Sequence, residues 1–154
     1  ASLDSGTVQM KKESISMQDL LAELVLEMAT YFPKQKALIL VSGEDFNLVC
    51  DPQWTYEAIF NIAKNGLEAS PERGIELHLN QTTIYKSIEI KDFSKGLSDE
   101  MLKKAYRRFY KAKPESKGYG IGLPMAKSIM EKQDGELLYH KEKGSNCFEL
   151  RFYK

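Results

Sequence analysis

Two segments, GIELHLN (74–80) and TIYKSIEIKDF (83–93), alternate apolar and polar residues and are separated by a short polar turn. Strand side chains point to opposite faces with period two, so each segment offers one apolar face and the pair reads as antiparallel neighbours. Such a sheet must bury that face, and helical segments on both sides can cover it. Ser16 is a suitable N-cap for MQDLLAELVLEMATYF (17–32), whose apolar residues recur at helical spacing until Pro33. Asp51 caps, and Pro52 opens, a second helix through DPQWTYEAIFNIAKNGLEAS (51–70), ending before Pro71. Between these helices ALILVSG and FNLVC read as two short strands, with a hairpin turn at Gly43–Asp45 as the simplest connection. Residues 93–118 are mixed, with a short helix around SDEMLKKAYRRFY. A third helix runs from Gly122 to Lys132 and stops at Gly135, and ELLYHK and CFELRFYK form a last strand pair around Gly144. About three helices and six strands in this order predict a two-layer α/β sandwich with a mixed, mostly antiparallel sheet covered on one face.

Composition narrows the function classes. The 154 residues suit one domain, and 22 basic against 22 acidic residues leave no broad basic surface for nucleic acid or an anionic membrane. With 42% hydrophobic and 29% charged residues the chain is globular, and no apolar run approaches the roughly 20 residues of a membrane span. Cys50 and Cys147 lie in apolar strand-like segments without metal-ligand spacing, which predicts buried thiols. Residues 1–16 are polar and weakly patterned and read as a tail or linker, with the folded domain at 17–154.

Three features carry chemistry. On a wheel of the second helix, Glu57, Lys64, Asn65 and Glu68 fall within about 60° of Asn61, against an otherwise apolar circumference. A solvated face accounts for the charged members. Asparagine is a poor helix former, yet Asn61 and Asn65 stand one turn apart, and a neutral amide oxygen is a hard ligand suited to Mg²⁺ bound mainly through phosphates. Second, Asp92 shares the register of Ile84, Ile88 and Ile90, which places a carboxylate at the rim of the core. It is either a turn-forming Asp at the strand end or an acceptor for the exocyclic amino group of a purine, with Gly96 allowing close approach of backbone to the ring. Third, Gly118, Gly120 and Gly122 in KGYGIGLPMAKSIM (117–130) satisfy neither the dinucleotide fingerprint nor the GxxxxGK[ST] loop. They feed a helix N-terminus, whose unpaired N–H groups and positive dipole end suit phosphate.

In this order, the three features resemble the catalytic and ATP-binding domain of bacterial sensor histidine kinases, of the ATPase superfamily shared with DNA gyrase, Hsp90 and MutL. NIAKNGLEAS is similar to the N box, KDFSKGLS to the first glycine box, RRFYKAK to the F box of the lid, and KGYGIGLPMAKSIM to the second glycine box. The resemblance implies the Bergerat ATP-binding fold, with ATP and Mg²⁺ as ligands. It implies Asn65 on the metal, Asn61 beside the triphosphate as the candidate catalytic residue, and Asp92 on the adenine amino group. Gly96 would pass close to the base, Tyr110 and Lys111 would reach the nucleotide from the lid, and Gly118, Gly120, Gly122 and Leu123 would wrap the phosphates. It further implies a cytoplasmic domain of a sensor kinase, monomeric alone but homodimeric in its parent. Its partners would be a dimerisation domain bearing the phosphoacceptor histidine and, indirectly, a response regulator, with no direct contact to membrane or nucleic acid.

The sequence departs from the family pattern at Ser94, where a glycine is usual, and this predicts restricted φ near the base and weakened affinity. Glu68 stands where many such kinases carry a basic residue. His78 and His140 lack the acidic neighbour and helical setting of a phosphoacceptor and read as surface histidines. Asn61 occupies the position where hydrolytic members need a glutamate base, which disfavours hydrolysis as the main activity. The alternatives are an anti-sigma-type serine kinase and a non-catalytic interaction module of the same fold.

Overall fold

The computed structural model describes residues 9–96, 98–105 and 122–154. Its elements are β1 (Glu13–Ser16), α1 (Met17–Tyr31), β2 (Ile39–Ser42), β3 (Asn47–Cys50), α2 (Pro52–Ala69), β4 (Ile75–Gln81), β5 (Tyr85–Asp92), α3 (Asp99–Ala105), α4 (Gly122–Glu131), β6 (Glu136–Glu142) and β7 (Ser145–Tyr153). A 3₁₀ turn, Pro33–Leu38, follows α1.

The main sheet has the order β2-β4-β5-β7-β6. Only β2 and β4 run parallel; the other pairs are antiparallel, as the two alternating segments and the last strand pair require. α2 packs on β4 and β5, α4 on β6 and β7, and α1 against α2. The core lies between these layers, with Leu77, Ile88, Ile90, Phe148 and Leu150 from the sheet meeting Ile59, Ile62 and Leu67 of α2 and Ile129 and Met130 of α4. This is the mixed, one-side-covered sandwich that the pattern predicts.

Both long helices start at the expected caps. The Ser16 hydroxyl accepts the Asp19 N–H at 3.2 Å, and the Asp51 carboxylate accepts the Trp54 N–H at 3.0 Å. Asp51 does more than cap: its other oxygen accepts the Lys11 N–H at 2.8 Å, and its own N–H donates to Gln133 Oε1 at 2.7 Å. Gln133, just after α4, donates in turn to the buried Thr55 hydroxyl at 3.1 Å.

Two expectations are corrected. β2 and β3 do not form a hairpin: β2 joins the main sheet beside β4, whereas β3 pairs antiparallel with β1 in a separate two-stranded sheet. Gly43 is glycine because β2 ends against β4, where an added Cβ would stand 2.1 Å from the Leu79 carbonyl oxygen at φ +94°. Residues 13–16, read as the end of a tail, form β1, and Met10 packs against the core.

The sheet's other face is polar but not loose. Glu149 is buried there, accepting Arg151 Nε–H at 2.8 Å and bonded to His140 Nε2 at 2.9 Å. Burial pushes its carboxyl upward, but the Arg151 and His140 hydrogen bonds outweigh that and hold it below the usual carboxylate value. His78 bonds the Ser42 hydroxyl at 2.8 Å on the same face. Both cysteines are free and buried, and burial raises each thiol's pKa, that of Cys147 to about 12. Among the described residues no helix is long and apolar enough to cross a membrane.

Candidate functional site

Asp92 is the last residue of β5, paired with Ile75 on one side and Asn146 on the other, and 3% exposed. The turn-forming alternative accounts for only part of this arrangement. One oxygen, Oδ1, does close an Asx-type turn, accepting the Ser94 N–H at 2.9 Å. It also accepts the Ser94 hydroxyl at 2.6 Å and Asn146 Nδ2 at 3.3 Å, within a ladder that continues through Asp92. The end of α2 steadies the next residue, for the Ser70 hydroxyl accepts the Phe93 N–H at 3.3 Å.

α2 reaches Asp92 through Gly66. A Cβ there would lie 3.0 Å from Ile75 Cγ2 and 3.3 Å from Asp92 Cβ, so the bare helix backbone lies against the carboxylate's stem. The residue before it, Asn65, is thereby carried inward. The wheel placed Asn65 on a polar stripe whose charged members Glu57 and Lys64 are indeed exposed, but Asn65 is 9% exposed and its Nδ2 has no hydrogen-bond partner. A buried unpaired amide lowers stability by about 1–3 kcal/mol, so its presence here marks a position kept for a role other than stability. Asn61, one turn earlier, remains half-exposed and ties its Nδ2 to the Glu57 carbonyl at 2.8 Å. Glu68 pairs with Lys64 at 3.6 Å on the surface.

α4 meets α2 at Asn61. Gly122 opens the helix, and a Cβ on it would stand 2.9 Å from Asn61 Cβ and 3.4 Å from Asn61 Oδ1. Leu123 is fully buried, so its side chain anchors this helix start in the core. Asn61, Asn65, Asp92, Gly122 and Leu123 are therefore brought together by two close backbone approaches, at Gly66 and at Gly122. Tyr110, Lys111, Gly118 and Gly120 lie outside the described residues.

Gly96 has φ +84°, and a Cβ there would lie 1.9 Å from Asn146 Oδ1 and 2.7 Å from the Tyr139 hydroxyl. It lets the loop after β5 rest on those two side chains. Ser94 has ordinary backbone, since Asp134 is the one non-glycine residue with positive φ among those described. Asn146, 1% exposed, is a site residue that the sequence reading missed. The signal was available, because Asn146 shares the apolar register of Phe148, Leu150 and Phe152, the same anomaly that marks Asp92.

The donor set suits a phosphate-held Mg²⁺ better than a protein-only cage. Among the described residues no group of three His, Cys, Asp or Glu side chains could hold a metal, and of the buried amides there Asn65 is the one with an unpaired atom. Mg²⁺ ordinarily takes only one or two protein oxygens beside phosphates and waters. A separate groove of about 680 Å³, floored by Ile15, Leu20, Pro52 and Tyr56, contains none of the motif asparagines or glycines and has a different neighbourhood.

Residues 50–154, more than half of the chain and all of the described site, match the family described as "Histidine kinase-, DNA gyrase B-, and HSP90-like ATPase". The chain belongs to this ATPase family. Within it, Sporulation kinase C of Bacillus subtilis (strain 168) is 37% identical over 89 residues, covering 57% of this chain and 20% of that protein. Sensor histidine kinase SpaK of Bacillus subtilis is 30% identical over 142 residues, covering 87% of this chain and 30% of that protein. The chain thus spans a third or less of these relatives. The nucleotide-free catalytic domain of histidine kinase ThkA has the same fold, with a TM-score of 0.78 at 16% identity over 94% of this chain and 98% of that one. Among members of this family the chain stands with the sensor histidine kinases, and its α/β sandwich is their ATPase-domain fold.

Proposed function

We propose that this domain binds Mg-ATP and donates the γ-phosphoryl group to a histidine on a separate dimerisation domain of a two-component kinase. The observation that carries the reading is the buried amide of Asn65, unpaired at Nδ2, one residue from the glycine that seats α2 on Asp92. In that juxtaposition the unpaired Nδ2 is a donor suited to a phosphate oxygen, the amide oxygen is the atom suited to Mg²⁺, and Asp92 supports the role of base-side acceptor.

In this reading Asp92 accepts the adenine amino group, Asn65 gives its amide oxygen to Mg²⁺, and Asn61 and the start of α4 flank the triphosphate. When bound, Mg²⁺ neutralises charge on the phosphate oxygens. The chain's own contribution is positioning and exclusion of water. The bond from γ-phosphorus to the bridging oxygen breaks, a bond to an imidazole nitrogen forms, and ADP leaves. Neither His78 nor His140 suits the acceptor role, since each is bonded on the sheet's opposite face to Ser42 or Glu149. A cytoplasmic location and a homodimeric parent with a response regulator downstream accompany this reading, as do nucleotide contacts by Tyr110 and Lys111 and phosphate wrapping by Gly118 and Gly120.

Titrating Mg-ATP against wild type and Asp92→Asn tests it. Losing a hydrogen bond to a charged acceptor removes about 1.5–3 kcal/mol, so the variant should bind roughly 10- to 100-fold more weakly. Absence of saturable binding by the wild type would refute the kinase reading and favour the non-catalytic module. Phosphotransfer to a helical histidine domain supplied in trans separates a histidine kinase from a serine kinase.

A further inference from the structure

We infer that Tyr139 and Asn146, acting through Ser94, are positioning residues that set purine selectivity by clamping one oxygen of Asp92. This rests on the proposed contact of Asp92 with the base.

The clamp is a chain of directed hydrogen bonds. The Tyr139 hydroxyl donates to Asn146 Oδ1 at 2.7 Å. That contact fixes which way the amide faces, since only the oxygen can accept, and it turns Nδ2 toward the loop after β5. Nδ2 then donates to the Ser94 carbonyl at 2.7 Å and approaches the Ser94 hydroxyl and Asp92 Oδ1, each at 3.3 Å. The Ser94 hydroxyl and N–H both converge on the same Oδ1, at 2.6 and 2.9 Å. Three donors therefore hold one oxygen of a planar group, and the direction of the other oxygen follows. Gly96 closes the ring by lying against Asn146 and Tyr139, where any side chain would collide. Tyr139 is itself seated, its ring centroid 4.8 Å from that of Phe148.

A carboxylate oxygen fixed in direction attracts the amino group of adenine and repels the carbonyl oxygen that guanine presents at the same place. A carboxylate free to rotate discriminates less, because it can turn away from the guanine oxygen at little loss. In this chain the Ser94 side chain is one of the clamp's three donors. Its presence therefore supports adenine binding, the opposite of the effect expected from sequence.

The test measures the affinities of Mg-ATP, Mg-GTP and magnesium tripolyphosphate for wild type, Tyr139→Phe, Ser94→Ala and Ser94→Gly. The expected result is an ATP-over-GTP ratio reduced about tenfold in Tyr139→Phe and Ser94→Ala, with tripolyphosphate affinity unchanged. Ser94→Gly should weaken ATP binding rather than strengthen it. Wild type that binds ATP, with variants whose ratio stays within twofold of it, would overturn the clamp while leaving the kinase reading standing. Stronger ATP binding by Ser94→Gly would overturn it as well. Wild type that binds no Mg-ATP would remove the kinase reading and the clamp together. Ser94→Ala alters a half-buried loop residue rather than the core, so the ratio can be read even if Tyr139→Phe fails to fold.

Discussion

Replacing Asn65 by alanine should stabilise the ligand-free domain and deprive it of most of the stabilisation that nucleotide provides. The side chain is 9% exposed with an unpaired Nδ2, which lowers stability by about 1 kcal/mol even at the small end of the range for buried unsatisfied donors. Alanine also has a helix propensity better by roughly 0.5 kcal/mol at this mid-helix position. Against this stands the lost packing of a small polar group, which trims the sum. The net gain is about 1 kcal/mol, or 2–4 °C in Tm for a chain of this size. Mg-ATP at a hundred times its Kd should add about 2.7 kcal/mol to the wild type and far less to the variant, so the order of stabilities reverses on adding ligand. Urea denaturation with and without Mg-ATP reads both arms. An unliganded variant less stable than wild type by 1 kcal/mol or more would refute the account of Asn65 as an unsatisfied group, and an undiminished nucleotide shift would refute its role in binding.

Gly96→Ala should destabilise by about 3 kcal/mol in urea denaturation, because left-handed backbone is unfavourable for alanine and the new Cβ displaces Asn146 from Tyr139. At the turn after α4, Asp134 has φ +60° and is exposed, so Asp134→Gly should add about 0.5 kcal/mol once glycine's extra unfolded-state entropy is set against relief of strain. Its neighbour behaves oppositely: a Cβ on Gly135 would stand 2.5 Å from the Arg151 carbonyl oxygen, and Gly135→Ala should lower Tm. Glu149 has its folded pKa depressed, so the stability it contributes is present above its unfolded value, near 4.5, and is lost as pH falls through the folded value. The urea midpoint should therefore drop on acidification below about pH 4.5, and Glu149→Gln should show a shallower drop over that window.

Whatever depends on local spacing was legible in the sequence. Ser16 and Asp51 announced their helices because a cap needs only the next few residues, and β4–β5 and β6–β7 were legible because their turns are short. β2 and β3 misled because each finds its partner far along the chain, and Gly43 looked like a turn glycine when its role is clearance from Leu79. Within the site, register alone exposed Asp92 and, read with equal care, would have exposed Asn146. The burial of Asn65 was not legible, since a wheel gives direction around a helix and not the depth to which Gly66 lets that helix sink. At Ser94 nothing in the sequence signalled the hydroxyl's partner, because Asp92 accepts it only once the strand end and the loop after it are folded together.

The Asp51 carboxylate holds the first turn of α2 with one oxygen and the arriving main chain at Lys11 with the other, while the same residue's N–H grips Gln133 beyond α4. Anything joined upstream is therefore connected in phase. An extra residue between Lys11 and Glu13 would carry the Lys11 N–H out of reach or break the β1–β3 register. The same residue added before Met10 would alter neither. For fusions and chimeras, the junction has to leave the stretch from Lys11 to Ser16 in its present register.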